Sequence, residues 1–227
     1  MSLPDQFSLH GRVALVTGAT RGIGKSMAIA LAEAGSDIVL IQRDDSNTAT
    51  RDEIRALGRS ATIYTADLAR RDQIKGLVKT VLADGHDISI LINCGGIQRR
   101  HPADQFPDED WDEVRIPVKR DLIPLRHMAD VLSKVMRVNL DAVFVLARDI
   151  GAYMLTRLPG KDSPHKGSII NVASLVSFQG GLNVPAYAAA KGGVAQLTKS
   201  LSNQWASRGI NVNAVRCSFA FLTCLCG

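Results

Sequence analysis

Aromatic residues are scarce in this 227-residue chain: six Phe, three Tyr and two Trp, or 5%. With 46% of residues hydrophobic, the core must be aliphatic, as in strands buried on both faces. No run of about 18 apolar residues occurs, so the sequence excludes a transmembrane helix. The opening Met1-Ser2-Leu3-Pro4-Asp5 has no basic region followed by an apolar stretch, so no secretory signal is expected. Cysteines number only four, with Cys94 alone in the body and Cys217, Cys224 and Cys226 near the end. Cys224-x-Cys226 has no second ligand pair at zinc spacing, so no metal is expected. One body thiol fits a reducing, cytoplasmic compartment. The composition matches neither disorder nor a disulfide scaffold.

A large excess of one charge is also missing. The net charge of +5 is concentrated at 115–134, where Arg115, Lys119, Arg120, Arg126 and Lys134 face only Asp121 and Asp130. A near-neutral body with one basic stretch is a poor footprint for nucleic acid, so neither a nucleic-acid nor a membrane partner is expected.

Strand and helix signals alternate along the chain. Short apolar, β-branched runs fall at 13–17, 37–41, 61–64, 88–92, 168–172 and 210–215. Helical spacing of apolar residues occupies 22–34, 47–57, 72–82, 135–154 and 187–206, with a further helix opening at Trp111. Gly35 and Gly58 stand where helices should stop. No linker or repeat divides this pattern. It predicts one α/β domain over 1–227, a Rossmann-type doubly wound parallel sheet in three αβα layers.

Two constellations carry chemistry. The turn after the first strand reads Thr17-Gly18-Ala19-Thr20-Arg21-Gly22-Ile23-Gly24. Glycines there let backbone turn sharply and approach a pyrophosphate, and the next helix offers unpaired N–H groups to it. The second is Ser174 with Tyr187 and Lys191, the last two sharing a helix face at i, i+4. An ammonium beside a phenol stabilises the phenolate and lowers its pKa, which suits the phenol to proton transfer at a reacting C–O group. Ser174, after a strand end, can hydrogen-bond the same oxygen.

With Asp67-Leu68, Asn93-Cys94-Gly95-Gly96, Asn139 and Asn211-Val212-Asn213-Ala214 added, the chain resembles the short-chain dehydrogenase/reductase family over 8–114 and 135–215. The resemblance implies hydride transfer between a nicotinamide and a secondary alcohol or ketone. It makes Tyr187 the acid/base, Ser174 the group orienting substrate, and Lys191 a ligand of the nicotinamide ribose. By the same resemblance Asn139 would interrupt its helix and hold a relay water, Asp67 and Leu68 would meet the adenine, and Asn93 and Gly95 would meet the adenosine side. The family usually has Asn-Asn-Ala-Gly where this chain has Asn93-Cys94-Gly95-Gly96, a small and tolerable exchange.

Cofactor choice turns on the end of the second strand, where Gln42 stands in place of the acid expected for NAD(H). Arg43 beside it and Arg21 in the glycine turn favour the 2′-phosphate of NADP(H), while Asp44 and Asp45 keep NAD(H) possible. Residues 97–100 and 174–185 look most like the sugar-acid branch of the family, the 2-deoxy-D-gluconate 3-dehydrogenases and gluconate 5-dehydrogenases. Arg99 or Arg100 would pair with a substrate carboxylate, and Gln179 with hydroxyls.

Two segments depart from the family. An insert at 115–134 carries Pro117 and Pro124 where joining Glu113 to Val135 would make one continuous helix. The tail 216–227 replaces the family's Pro-Gly turn, substrate-covering segment and last strand. Both departures begin with Val-Arg, which suits translated introns. A chain of this form is expected to lack the family's last strand and part of the pocket, and to have a compromised homo-oligomer interface. The rival reading is then a non-catalytic dinucleotide-binding remnant.

Overall fold

The computed structural model describes residues 7–107, 134–158 and 164–216. The helix expected at Trp111, nearly all of the 115–134 insert and the tail beyond Arg216 lie outside the described residues. The six apolar runs form strands β1 (Val13–Thr17), β2 (Asp37–Gln42), β3 (Ala61–Thr65), β4 (Ile88–Asn93), β5 (Gly167–Val172) and β6 (Ile210–Val215). All neighbours pair in parallel, in the order β3-β2-β1-β4-β5-β6. The chain winds outward one way from β1 to β3, then returns and winds the other way from β4 to β6. The reversal opens a crevice beyond the carboxyl ends of β1 and β4, where Thr17 and Asn93 are register partners.

Side chains alternate between the two faces of the sheet. Leu15, Val39, Ile41, Leu91, Ile169 and Val212 pack against one helix layer, which contributes Leu146, Ile150, Met154, Leu201 and Trp205. Ala14, Val16, Ile38, Leu40, Ile90 and Ile92 pack against the opposite layer. That layer contains helix α1 (Gly22–Glu33), whose buried Gly24, Ala28 and Ala32 let its backbone lie close to the strands, and α2 (Ala49–Ala56), which buries Ile54. The three-layer expectation holds, and among the described residues no helix is long and apolar enough to cross a membrane.

Two helices differ from the reading of apolar spacing alone. The single helix expected at 72–82 is two pieces, α3 (Arg71–Ile74) and α4 (Leu77–Ala83), separated by Gly76 at φ +92°. The apolar periodicity runs through the break, so spacing alone hides it. The helix expected at 135–154 begins as α5 (Lys134–Met136), widens into a π-turn (Arg137–Asp141) and continues as α6 (Ala142–Thr156). The serine loop holds a short α7 (Val176–Gln179), followed by the long α8 (Pro185–Trp205), which starts with proline at its first turn.

Candidate active site

The glycine turn forms the floor of the crevice. Gly18 has φ +68°, and a Cβ there would lie 2.7 Å from Gly95 Cα, so the turn after β1 and the turn after β4 touch backbone to backbone. Thr17 locks them, its Oγ1 accepting from the N–H groups of Cys94 (3.1 Å) and Gly95 (3.0 Å). Thr50, reaching from α2, donates its hydroxyl to Ala19 O at 2.8 Å and holds the outer side of the turn. No side chain caps the start of α1, and its first turn carries no acid. Its leading N–H groups and positive dipole end are therefore available to a phosphate. A Cβ on Gly22 would meet nothing within 4 Å, so open space lies above the turn. These features fit a dinucleotide pyrophosphate.

Around this floor the expected cofactor residues divide. Arg21 and Arg43 are exposed at the mouth. Gln42 is only 7% exposed, and its amide nitrogen donates to Asp44 O (2.7 Å) and Asn47 O (3.0 Å). It shapes the loop after β2, where Arg43, Asp44 and Asp45 are exposed. Asp67 turns its carboxylate onto Ala69 N at 2.9 Å, which orders the loop carrying Leu68. Leu68 leans over Gly95, where a Cβ would come within 2.4 Å of its Cδ1. The glycine at 95 thus makes room for Leu68. Asn93 is 2% exposed and points its side chain into the sheet, with Nδ2 donating to Asn171 Oδ1 at 2.9 Å. Only its backbone is left to face a cofactor. Asn171 Nδ2 in turn donates to Thr198 Oγ1 at 3.0 Å, tying β4 and β5 to α8.

Tyr187 and Lys191 stand one turn apart on α8. The Lys191 ammonium is buried, 5.8 Å from the centroid of the Tyr187 ring, and donates to Val172 O at 2.5 Å. The ring itself packs with Val135, Ala186 and Ala190. Burial lowers the Lys191 pKa from 10.5 to about 8, with Cys94 acting weakly in the opposite direction. An unfolded chain keeps that lysine protonated to higher pH, so between pH 8 and 10.5 the unfolded state binds more protons and stability rises with pH. The unfolding free energy of the cofactor-free protein, minus that of a Lys191→Met variant, is expected to increase by about 2 kcal/mol from pH 8 to pH 10. A flat difference in pH-resolved denaturant titrations contradicts the buried ammonium.

Ser174 lies at the start of the serine loop, where its Oγ accepts weakly from Val176 N at 3.4 Å. Sequence reasoning missed the residue that holds this loop to α8. Ser177 Oγ accepts from Ser174 N (3.2 Å) and donates to Lys191 O (2.8 Å), joining two of the three expected catalytic residues through one hydroxyl. Ser177→Ala is expected to lower kcat about tenfold with little change in thermal midpoint, and Ser177→Thr to restore most of it. Equal kcat in Ser177→Ala and wild type would show that the loop needs no such tie.

Asn139 sits in the π-turn, fully buried, with both ends of its side-chain amide bonded to the loop after β4. Oδ1 accepts from Ile97 N (3.1 Å) and Nδ2 donates to Ile97 O (2.8 Å). The expected helix interruption is present, but a relay water would have to use the main chain of Asn139. Gly96 permits this approach, since a Cβ there would be 2.7 Å from Asn139 Oδ1. The same loop brings the expected substrate residues toward α8 by His101 N–H donating to Asn183 O at 3.0 Å. Arg99 is half-buried with Nη1 on Gln98 O (3.3 Å), while Arg100 and Gln179 are exposed. Among the described residues no three His, Cys, Asp or Glu side chains group as metal ligands.

A glycine turn over the switch point of a parallel sheet, beside a lysine and a tyrosine on one helix, defines a dinucleotide-dependent oxidoreductase. The short chain dehydrogenase family model matches residues 12–223, and the chain belongs to that family. It is 42% identical over 213 residues to the 2-dehydro-3-deoxy-D-gluconate 5-dehydrogenase of Pseudoalteromonas atlantica, covering 93% of this chain and 73% of that protein. The enzyme of the same name from Bacillus subtilis is 41% identical over 94% of this chain and 72% of its own length. A gluconate 5-dehydrogenase from Burkholderia cenocepacia, solved with NADP and tartrate, superposes with a TM-score of 0.77 at 35% identity, over 95% of this chain and 74% of that one.

Proposed function

We propose that the protein interconverts a secondary alcohol and a ketone on a sugar acid, using NADP(H). The observation that carries this reading is the buried Lys191 ammonium 5.8 Å from the Tyr187 ring, beside the glycine-floored crevice. The nicotinamide, when bound, supplies or accepts the hydride. In the reductive direction the Tyr187 hydroxyl gives its proton to the carbonyl oxygen, and in the oxidative direction the phenolate takes the alcohol proton. Lys191 stabilises the phenolate and reaches the nicotinamide ribose. Ser174 Oγ hydrogen-bonds the reacting oxygen, and Asn139 steadies the loop after β4 and supports proton return through its main chain. Gly18, Thr20, Arg21, Gly22, Ile23 and Gly24 would cradle the pyrophosphate. Asp67 and Leu68 would flank the adenine, and Gly95 with the Asn93 backbone would border the adenosine.

Arg43 and Arg21 are the groups suited to a 2′-phosphate, and the Burkholderia relative was solved with NADP bound. Support for the sugar acid comes from the names of the relatives and from Arg99, half-buried in the loop that meets Asn183. The remnant reading finds no support among the relatives, which are named as dehydrogenases, and the family match spans Ser174, Tyr187 and Lys191. Steady-state rates with 2-dehydro-3-deoxy-D-gluconate and gluconate, each with NADPH/NADP and NADH/NAD, test the proposal. Turnover with the NADP couple at least tenfold more efficient is expected. Turnover confined to non-acidic ketones would remove the sugar-acid assignment, and a preference for NAD(H) would remove the role given to Arg43.

A further inference from the structure

A second cleft lies at the opposite end of the sheet from the glycine turn. It is bounded by the chain just before β1 and by the amino ends of β1, β4 and β5, with a volume of about 140 Å³. Ser8, Arg12, Ser89, His165 and Ser168 line it, together with Leu9 and Ile90. Ser89 is 2% exposed, and its hydroxyl has no hydrogen-bond partner among the described residues. A buried hydroxyl left unpaired costs about 1–3 kcal/mol, so a group that accepts from it is strongly favoured there.

The other polar groups of the cleft are also left with protons to donate. Ser8 Oγ accepts from His10 N–H (3.4 Å), which leaves its own O–H to be placed. Asn211 Nδ2 lies 3.5 Å from His165 Nδ1, and Ser168 Oγ lies 3.3 Å from His165 Nε2. If the amide donates to Nδ1, the ring proton is on Nε2 and goes to Ser168 Oγ, so the Ser168 O–H is again available. Asp87 is the carboxylate beside Arg12, but it already accepts from Arg157 Nε, Arg157 Nη2 and Tyr153 Oη, each at 2.7 Å. Among the described residues the Arg12 guanidinium forms neither an ion pair nor a hydrogen bond. Burial opposes protonation of His165, and the neighbouring Arg12 and Arg157 guanidiniums act in the same direction.

A guanidinium and three hydroxyls with unplaced protons around one small concavity match a tetrahedral oxyanion better than water. The guanidinium can only donate and an anion can only accept, while each hydroxyl can turn its proton toward the anion. We infer that the cleft binds inorganic phosphate, held by Arg12 and by the hydroxyls of Ser8, Ser89 and Ser168. The volume suits a free ion and leaves no room for a nucleotide. This inference does not depend on the proposed activity, because the cleft shares no residue with the crevice.

Thermal unfolding of the full chain against inorganic phosphate, with chloride exchanged to hold ionic strength constant, tests it. A saturable rise of about 4 °C at ten times the dissociation constant is expected for wild type. Arg12→Gln is expected to weaken phosphate binding at least tenfold while keeping wild-type turnover. Ser89→Ala is expected to keep or raise the phosphate-free midpoint, because it removes an unpaired hydroxyl, and yet to bind phosphate several-fold more weakly. Arg43→Gln serves as the control for binding in the nucleotide crevice and should respond like wild type. An unsaturable rise shared by all variants overturns the inference. So does loss of the response in Arg43→Gln alone, a normal response in Arg12→Gln, or tighter binding of glycerol phosphate than of the free ion.

Discussion

Tyr187→Phe is expected to lower kcat about a thousandfold while leaving cofactor affinity within about threefold of wild type. The ring packs with Val135, Ala186 and Ala190, and these contacts survive in phenylalanine, so the variant deletes one hydroxyl and little else. Lys191→Met should differ in kind. It removes both the charge that stabilises the phenolate and the group that reaches the cofactor, so kcat and cofactor affinity should fall together. Single-turnover hydride transfer and cofactor titration by fluorescence separate the two effects. A Tyr187→Phe enzyme that retains a tenth of wild-type kcat would remove the phenol from the chemistry and leave Ser174 as the group to examine.

The sheet was legible because each buried parallel strand is a short aliphatic run between polar turns. Val13–Thr17 and Ile210–Val215 could be read to the residue. Fold class follows from that alternation, and the crevice follows from fold class once the glycine turn is placed after β1. Tyr187 and Lys191 were legible for a local reason, since four residues on one helix is a geometric statement. The rest depends on contacts between residues far apart in the chain, which spacing does not report. Thr50 reaches back 31 residues to Ala19 O, and Asn93 turns inward to Asn171 across 78. Ser177 carries no pattern of its own, and its importance appears only when the serine loop meets α8. Gly76 and the π-turn at Asn139 lie within unbroken apolar periodicity, so the breaks they make are invisible to a period count.

Gly24→Ala and Gly22→Ala are expected to fail in opposite ways, and the contrast tests whether the turn after β1 is a phosphate cradle or only a tight corner. A Cβ on Gly24 would lie 2.3 Å from Gly18 O, a backbone atom that cannot move without shifting Gly95 as well. Gly24→Ala should therefore destabilise the cofactor-free protein by about 2–4 kcal/mol, in the range of strong overpacking. At Gly22 a Cβ meets no protein atom within 4 Å, and the strain is confined to φ +56°. That strain costs roughly 1–2 kcal/mol for an L side chain. The new methyl, however, would project into the space above the turn, against the uncapped N–H groups of α1. Cofactor affinity in Gly22→Ala should fall about a hundredfold, out of proportion to its stability loss. Equilibrium unfolding without cofactor and cofactor titration of the folded variants resolve the two quantities. If Gly22→Ala binds cofactor as wild type does, the open space above the turn is not where the pyrophosphate lies, and the cradle must be sought elsewhere along the β1–β4 crevice.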